Sequence, residues 1–211
     1  MSKNIKEIKN IIFDFDGVII DSMEVRVKGI NKVFSEYDKE ALDKFIEYYR
    51  YNAGLSKFIK IKYFYNNILG KDITEEKVNL YSKKLSEIMR LKLSSKSVLI
   101  KDTLSFIENN YHIYNFHIAS GSEEEELKYL CERLDISRFF KSIHGAPIHK
   151  NDLVAKIIKE NNYNKDETIV IGDSINDFEA AEINRIDFFG YNNLNLVELA
   201  SKYIYNYNEI F

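Results

Sequence analysis

The stretch Asn10-Ile11-Ile12-Phe13-Asp14-Phe15-Asp16-Gly17-Val18-Ile19-Ile20-Asp21-Ser22 decides the fold of this chain. The β-branched and aromatic residues at 11–13 predict a buried strand. Residues two apart on an extended chain project to the same side, so Asp14 and Asp16 are expected to point together from the carboxyl end of that strand. Two like charges this close repel each other. Taken alone, the pair is also consistent with an ordinary acidic turn after a strand.

The composition is that of an ordinary soluble globular protein. The 211 residues are 45% hydrophobic and 30% charged, enough for one domain or a domain with an insertion. A formal charge of -3 provides no basic field, so neither nucleic acid nor a membrane surface is an expected partner. Residues 1–9 lack the apolar core of a signal peptide, and no run reaches the roughly 18 apolar residues that span a bilayer. We therefore expect a cytoplasmic protein, in which the single Cys131 is a packed and inert thiol.

The periodicity of apolar residues changes near residue 95. From about 22 to 95 the pattern predicts four helices with no strand between them. Beyond 95, short apolar runs alternate with amphipathic helices and end in a closing helix and strand over 196–205. This alternation implies right-handed parallel crossovers and a sheet covered on both faces. The predicted fold class is therefore α/β: a doubly wound, Rossmann-like parallel sheet (1–21 and 96–211) with an inserted α-helical domain (22–95).

Polar residues follow the predicted strands at the edge where doubly wound folds place their sites. Asp14 and Asp16 follow the first strand. The other polar segments are Ser120-Gly121-Ser122 after the second strand, Lys150 before a later helix, and Gly172-Asp173-Ser174-Ile175-Asn176-Asp177 after the strand predicted at 168–171. Each has a plain structural alternative: the serines are good helix caps, and a loop lysine is usually solvated. Their order and their common position at strand ends favour one shared cleft.

These four segments resemble, in order, the four motifs of the haloacid dehalogenase-like hydrolase superfamily. The resemblance covers nearly the whole chain. The helical insertion resembles the small α-helical cap of the subgroup that contains phosphoglycolate phosphatase-like enzymes and β-phosphoglucomutase. It implies a Mg²⁺-dependent phosphatase that acts on a small phosphorylated metabolite, a sugar phosphate or a phosphoglycolate-like compound, through an aspartyl-phosphate intermediate.

The resemblance also assigns roles to the residues of the core. Asp14 is implied as the nucleophile, and Asp16 as the acid that protonates the leaving oxygen and then activates water. Ser120, the Gly121 amide and Lys150 are implied to bind the transferred phosphate, which makes Lys150 part of the catalytic set.

The implied metal site accounts for the repulsion in the opening stretch. Mg²⁺ would be held by the side chains of Asp14 and Asp173 and by the backbone carbonyl of Asp16, with Asp177 in or near the coordination shell. A dication between the carboxylates offsets their mutual repulsion.

The inserted helices are expected to select the substrate by closing over the leaving group. The segment Gly54-Leu55-Ser56-Lys57, followed by Lys60, combines a break, a helix start and two cations three residues apart. We expect Arg50, Ser56 or Lys57 to contact an anionic or polyhydroxyl leaving group, although a capped helix with a solvated face is equally consistent. The acids at 123–126 are expected to point to solvent in the first turn of a helix.

Three other functions remain open at this stage. A β-phosphoglucomutase-like phosphomutase usually has a histidine where Arg26 stands. A phosphonatase needs a Schiff-base lysine in the cap, for which Lys57 or Lys60 is available. A non-catalytic phosphate-binding protein is disfavoured because every motif acid is present. The sequence does not distinguish a monomer from a homodimer.

Overall fold

Six parallel strands form one sheet in the computed structural model, which describes residues 8–209. In chain order the strands are β1 (Asn10–Phe13), β2 (Asn115–Glu123), β3 (Ser142–Ala146), β4 (Thr168–Gly172), β5 (Asp187–Tyr191) and β6 (Lys202–Ile204). Their order across the sheet is β3-β2-β1-β4-β5-β6, so the direction of winding reverses between β1 and β4. The predicted α/β fold class is confirmed.

Eight α-helices accompany the sheet within the described residues. They are α1 (Met23–Val33), α2 (Lys39–Tyr51), α3 (Lys57–Tyr63), α4 (Glu75–Lys92), α5 (Lys101–Asn110), α6 (Glu124–Arg133), α7 (Lys150–Glu160) and α8 (Ile175–Asn184). None of the helices in this part of the chain is long and apolar enough to cross a membrane.

The sheet separates two apolar cores, and β1 contributes to both. Ile11 and Phe13 belong to one core together with Phe116, whereas Ile12 belongs to the other together with Leu153. All three β1 residues are fully buried. Burial of both faces explains why the strand is continuously apolar rather than alternating. It also leaves the carboxyl end of β1 as the first point where polar side chains can emerge.

Helices α1 to α4 enclose an aromatic core of their own. Phe45 stacks on Phe64 with ring centroids 4.5 Å apart, and Phe34 stacks on Tyr81 at 4.6 Å. Helix α3 continues as a π-helical turn over Phe64–Ile68, so the third predicted helix is split. We call α1 to α4 the helical layer.

Two local predictions are wrong. Of the closing helix and strand predicted over 196–205, the strand is present as β6, but the helix is absent and a 3₁₀ turn over Leu194–Leu196 leads to the strand instead. Helix α6 is capped by Glu123 rather than Ser122, since the Glu123 carboxylate accepts the amide hydrogens of Glu125 (3.0 Å) and Glu126 (2.9 Å). As a result β2 runs through to Glu123, and the Ser122 hydroxyl is available for another partner.

Candidate active site

Three carboxylates meet where the winding of the sheet reverses. Strands β1 and β4 are paired with Phe13 beside Ile171, and the Asp14 amide donates to the Ile171 carbonyl at 2.9 Å. This register places Asp14 next to Asp173, which follows β4, and Asp177, in the first turn of α8. One oxygen of each carboxylate lies within 4.8 Å of the others. The sequence spacing alone could not give this distance, because it depends on the pairing of two strands far apart in the chain.

The turn after Asp16 requires glycine for two reasons. Gly17 has φ +79°, in the left-handed region that favours glycine. A Cβ atom at this position would also collide with the carboxylate of Asp173. The loop after β1 therefore approaches the acid cluster as closely as its backbone allows.

Lys150 is the cation of this cluster. Its ammonium donates to Asp14 Oδ1 at 2.8 Å and to Asp177 Oδ1 at 2.5 Å, and all three side chains are buried. Burial opposes the charge of Lys150, but the two carboxylates raise its pKa. Lys150 is thus an integral part of the site, not the solvated loop lysine that was the alternative.

The cluster combines several carboxylates with a buried carboxylate oxygen that accepts no hydrogen bond from residues 8–209, as a site for a divalent cation requires. Three carboxylates face one ammonium, so full ionisation of the cluster would leave an excess of two negative charges. Burial raises the pKa of Asp14 to about 7 and that of Asp173 well above its usual range. Asp173 Oδ1 is buried and has no hydrogen-bond partner among residues 8–209. Hard cations prefer carboxylate oxygens, so these residues fit a divalent metal.

Asp16 has a separate cationic partner. Arg26 Nε and Nη2 donate to its two oxygens, both at 2.9 Å, and the hydroxyl of Ser122 donates at 2.7 Å. Ser22 also donates to it, so the hydroxyl of Ser22 does not cap α1, which begins at the next residue. Burial opposes ionisation of Asp16, but Arg26 and the hydroxyls lower its pKa overall. The two acids of the opening stretch are therefore stabilised by different cations, Lys150 and Arg26.

The predicted phosphate-binding residues lie on the loop-like end of β2, beside β1. Ser120 is 1% exposed, and its hydroxyl accepts the Ser122 amide hydrogen at 3.1 Å. A Cβ atom at Gly121 would collide with the backbone carbonyl of Gly54 in the helical layer. The helical layer thus packs directly over this part of the core. The predicted core residues that the structure brings to this end of the sheet are Asp14, Asp16, Ser120, Gly121, Lys150, Asp173 and Asp177.

The three residues predicted to select the substrate occupy different places. Arg50 is largely exposed and pairs with Glu24 at 2.7 Å, at the rim of an open cleft that reaches Asp16 and Asp173. Ser56 caps α3 by accepting the Ile59 amide hydrogen at 3.4 Å. Lys57 is buried and is engaged in an ion pair. All three side chains thus already have partners within the protein.

The partner of Lys57 corrects another expectation. Glu126 was expected to point to solvent, but its side chain is fully buried. It accepts hydrogen bonds from Lys57 at 2.6 Å and from Ser86 at 2.7 Å, and Arg26 lies 3.5 Å from its other oxygen. The prediction that the acids in the first turn of α6 point to solvent is wrong for Glu126, because α3 and α4 cover that turn.

Lys60 is a further buried lysine near Asp16 that the sequence did not distinguish from Lys57. It is 1% exposed and donates to the Ala53 carbonyl at 3.0 Å. Its ammonium lies 3.7 Å from the centre of the Tyr49 ring. It borders a small cavity shared with Asp16, Arg26 and Gly121. The spacing of Lys57 and Lys60 predicted two cations on one face of a helix. Only the packing shows that Lys57 forms an ion pair, whereas Lys60 forms none with residues 8–209.

Comparisons with solved structures agree with the fold. β-Phosphoglucomutase from Clostridium difficile superimposes with a TM-score of 0.79 at 18% identity, covering 97% of this chain and 93% of that one. A mutant of CbbY from Rhodobacter sphaeroides in complex with xylulose-1,5-bisphosphate gives 0.78 at 15% identity, covering 96% of both chains. A predicted phosphoglycolate phosphatase from Haemophilus somnus 129pt gives 0.74 at 15% identity, covering 97% and 96%. At these identities the similarity establishes the fold alone.

Comparison at the level of sequence identifies the family. No curated protein sequence matches the chain. The family model for haloacid dehalogenase-like hydrolases, however, matches residues 11–191, which include every motif residue at the strand ends. The chain belongs to the haloacid dehalogenase-like hydrolase family.

Proposed function

We propose that the protein is a Mg²⁺-dependent phosphatase that hydrolyses a small phosphorylated metabolite through an aspartyl phosphate on Asp14. The observation that carries this proposal is the separation of the two acids into different electrostatic environments. Asp14 shares Lys150 with two further carboxylates, whereas Asp16 has its own guanidinium. Nucleophilic and acid-base roles require neighbouring acids in different environments. Burial raises the pKa of Asp14, whereas Arg26 and two hydroxyls lower that of Asp16 despite its burial. We therefore propose that bound Mg²⁺ would keep Asp14 ionised, and that Asp16 takes up its proton once it exchanges Arg26 for the substrate.

The proposed reaction has two steps. In the first, a carboxylate oxygen of Asp14 attacks phosphorus, the bond to the leaving oxygen breaks, and Asp16 gives that oxygen a proton. In the second, Asp16 takes a proton from water as the water oxygen attacks the same phosphorus, which releases inorganic phosphate and regenerates Asp14. Lys150, the Ser120 hydroxyl and the Gly121 amide are proposed to hold the phosphoryl oxygens through both steps.

The proposed Mg²⁺ would be held by Asp14, Asp173 and Asp177, together with the backbone carbonyl of Asp16. Bound there, it would neutralise charge on the transferred phosphoryl oxygens. Its fit rests on the three clustered carboxylates and on Asp173 Oδ1, which has no hydrogen-bond partner among residues 8–209.

We further propose that residues 22–95 act as a cap on a core formed by 1–21 and 96–211. Support comes from the close approach of Gly54 to Gly121 and from the ion pair between Lys57 and Glu126. A cap that closes over the phosphate would exclude water other than the attacking one. The bisphosphate-bound neighbour supports a phosphorylated metabolite as the class of substrate.

The test is release of inorganic phosphate from p-nitrophenyl phosphate and from a panel of sugar phosphates, phosphoglycolate and nucleotides, with Mg²⁺ and with chelator. We expect Mg²⁺-dependent release that Asp14→Asn abolishes. Asp43→Asn, which removes an exposed acid on α2 that pairs with Lys39, is the matched control and should keep full activity. Interconversion of sugar phosphates without release would instead favour a mutase. Binding without turnover of any compound would contradict the enzymatic proposal.

A further inference from the structure

Two consecutive asparagines, Asn192 and Asn193, connect the loop after β5 to both loops that carry the acids of the site. The Asn192 side-chain amide donates to the carbonyl of Gly17 at 3.0 Å, and the Asn193 side-chain amide donates to the carbonyl of Asp173 at 2.8 Å. Gly17 directly follows Asp16 in the chain. One short segment therefore holds the backbone beside each of these two acids.

The position of this segment in the sheet explains how it reaches both loops. The order β1-β4-β5 places Asp173 after the strand next to β5, and Gly17 after the strand beyond it. Neighbouring strands lie about 4.8 Å apart, so Asn192 reaches across the carboxyl end of β4 to the loop after β1. The distance between the two acid-bearing loops thus depends on two amides that are adjacent in the chain.

The backbone of Asn192 has a conformation that lets both side chains face the site. Consecutive side chains of an extended chain point in opposite directions. Asn192 instead has φ +53°, in the left-handed region that is uncommon for residues other than glycine but that asparagine tolerates better than most. An extended residue at this position would turn one of the two amides away from the acids.

A role confined to the loop itself is the competing explanation for these asparagines. Asn193 Oδ1 does accept the Asn195 amide hydrogen at 3.2 Å, at the start of the 3₁₀ turn over Leu194–Leu196. That bond, however, does not require the nitrogen of the same side chain to reach Asp173. Gly17 and Asp173 also border the open cleft, about 590 Å³ in volume, where water could pair with their carbonyls. The two contacts therefore point to control of the acid-bearing loops.

The spacing of these loops matters because they are already in close contact. A Cβ atom at Gly17 would collide with the Asp173 carboxylate, so the loop after β1 forms one wall of the acid cluster. Asp173 and the backbone carbonyl of Asp16 are both proposed ligands of Mg²⁺. Removing an outer group that orients a metal ligand typically weakens binding by about 10- to 100-fold. A small shift of either loop is therefore expected to weaken metal binding.

We propose that Asn192 and Asn193 are positioning residues that fix the spacing of Asp16 and Asp173 for binding of a divalent cation. This inference rests on the metal site of the proposed function and adds two residues that act on it through the backbone. The sequence analysis selected no residue of the loop after β5, because the two contacts join strands that are distant in the chain.

The test is calorimetric titration of Mg²⁺ alone into the substrate-free protein. Asn193→Ala removes one amide from an extended residue, and Asn192→Gly removes the other while keeping a residue that adopts φ +53° without strain. We expect each variant to raise the Kd for Mg²⁺ by about 10-fold, the lower end of the range for groups that orient metal ligands. Asn195→Ala, an exposed neighbour in the same turn, is the matched control and should stay within about twofold of the wild type.

Phosphate release adds a readout that a general loss of structure would not produce. Phenol is a poorer leaving group than p-nitrophenol, so its release depends more on a proton from Asp16. We expect Asn192→Gly to lower kcat for phenyl phosphate at least about threefold more than kcat for p-nitrophenyl phosphate. Saturating Mg²⁺ should restore most of kcat in Asn193→Ala but should not remove this difference in Asn192→Gly. Equal losses for both esters would overturn the role of Asn192 in placing Asp16.

The Mg²⁺ titration separates failure of this inference from failure of the proposed function. A higher Kd in both variants, without turnover by the wild type, would refute the phosphatase and keep the positioning role. A Kd within about twofold of the wild type in either variant would overturn the role of that asparagine, whatever the activity of the wild type. A wild type that binds no Mg²⁺ would refute both proposals. Thermal unfolding establishes that the variants are folded, and Asn193→Ser, which keeps a capping hydroxyl, replaces Asn193→Ala if that variant is not.

Discussion

Replacing Glu126 by glutamine should destabilise the protein strongly, because Glu126 is the shared anion of two buried cations. Its side chain is fully buried, and those of Lys57 and Arg26 are 4% and 7% exposed. The Glu126→Gln change keeps the shape and the hydrogen-bonding ability of the side chain but removes its charge. Lys57 then has only neutral acceptors, the Ser86 hydroxyl and the new amide oxygen, and burial already lowers its pKa.

The expected loss is about 3–5 kcal/mol of unfolding free energy, the usual cost of breaking a buried ion pair from one side. For a chain of 211 residues, each kcal/mol shifts Tm by about 2–4 °C, so the melting point should fall by about 6–20 °C. Arg26 is expected to contribute little to this loss, because it retains both bonds to Asp16.

The assay is urea and thermal unfolding at neutral pH for four proteins. Glu125→Gln, an exposed neighbour on α6, is the control and should stay within about 0.5 kcal/mol of wild type. In the double variant Lys57→Met with Glu126→Leu, both buried charges are gone, so most of the lost stability should return. The reasoning is refuted if Glu126→Gln matches the control, or if the double variant is as unstable as the single one.

Three further predictions concern pH, metal and the partner of Asp16. Burial lowers the pKa of His117 from 6.5 to about 4, so between these pH values the unfolded chain binds more protons than the folded one. The free energy of unfolding should therefore fall by about 3 kcal/mol as pH drops from 6.5 to about 4. Urea titrations at several pH values should show this fall in the wild type and a flatter pH dependence in His117→Gln. Mg²⁺ at about 100 times its Kd should add about 2.7 kcal/mol of unfolding free energy, measured as a rise in Tm that a chelator reverses. Asp173→Asn should lose most of this rise, and an equal rise in that variant would argue against the metal site. Arg26→Leu leaves the buried Asp16 without its cation, so the rate of phosphate release should fall by more than about tenfold. Arg26→Lys keeps a positive charge and should slow phosphate release less. An equal loss of rate in both variants would indicate that Arg26 acts only through packing.

The fold and the core of the site were predictable because their signals are local. A continuous apolar run marks a strand buried on both faces, and strand-helix alternation then implies parallel crossovers. Asp14, Asp173 and Lys150 could be assigned to one edge because parallel strands all end there. The helix predicted before the closing strand, in the range 196–205, shows the limit of such signals, because only the strand forms. Its apolar residues have a helical spacing, but Leu196 lies in one core and Ile204 in the other, on a strand.

The partners of the charged side chains were decided by tertiary structure. Glu126 is 69 positions from Lys57 and 100 from Arg26, and nothing in the sequence near any of them indicates the contact. Four acids at a helix start predict solvation, yet α3 and α4 cover one of them. Likewise, Lys57 and Lys60 are equivalent in the sequence, but packing pairs the first and leaves the second beside Asp16. The physical reason is that backbone periodicity depends on neighbours in the chain, whereas the free energy of a buried charge depends on whichever element covers it.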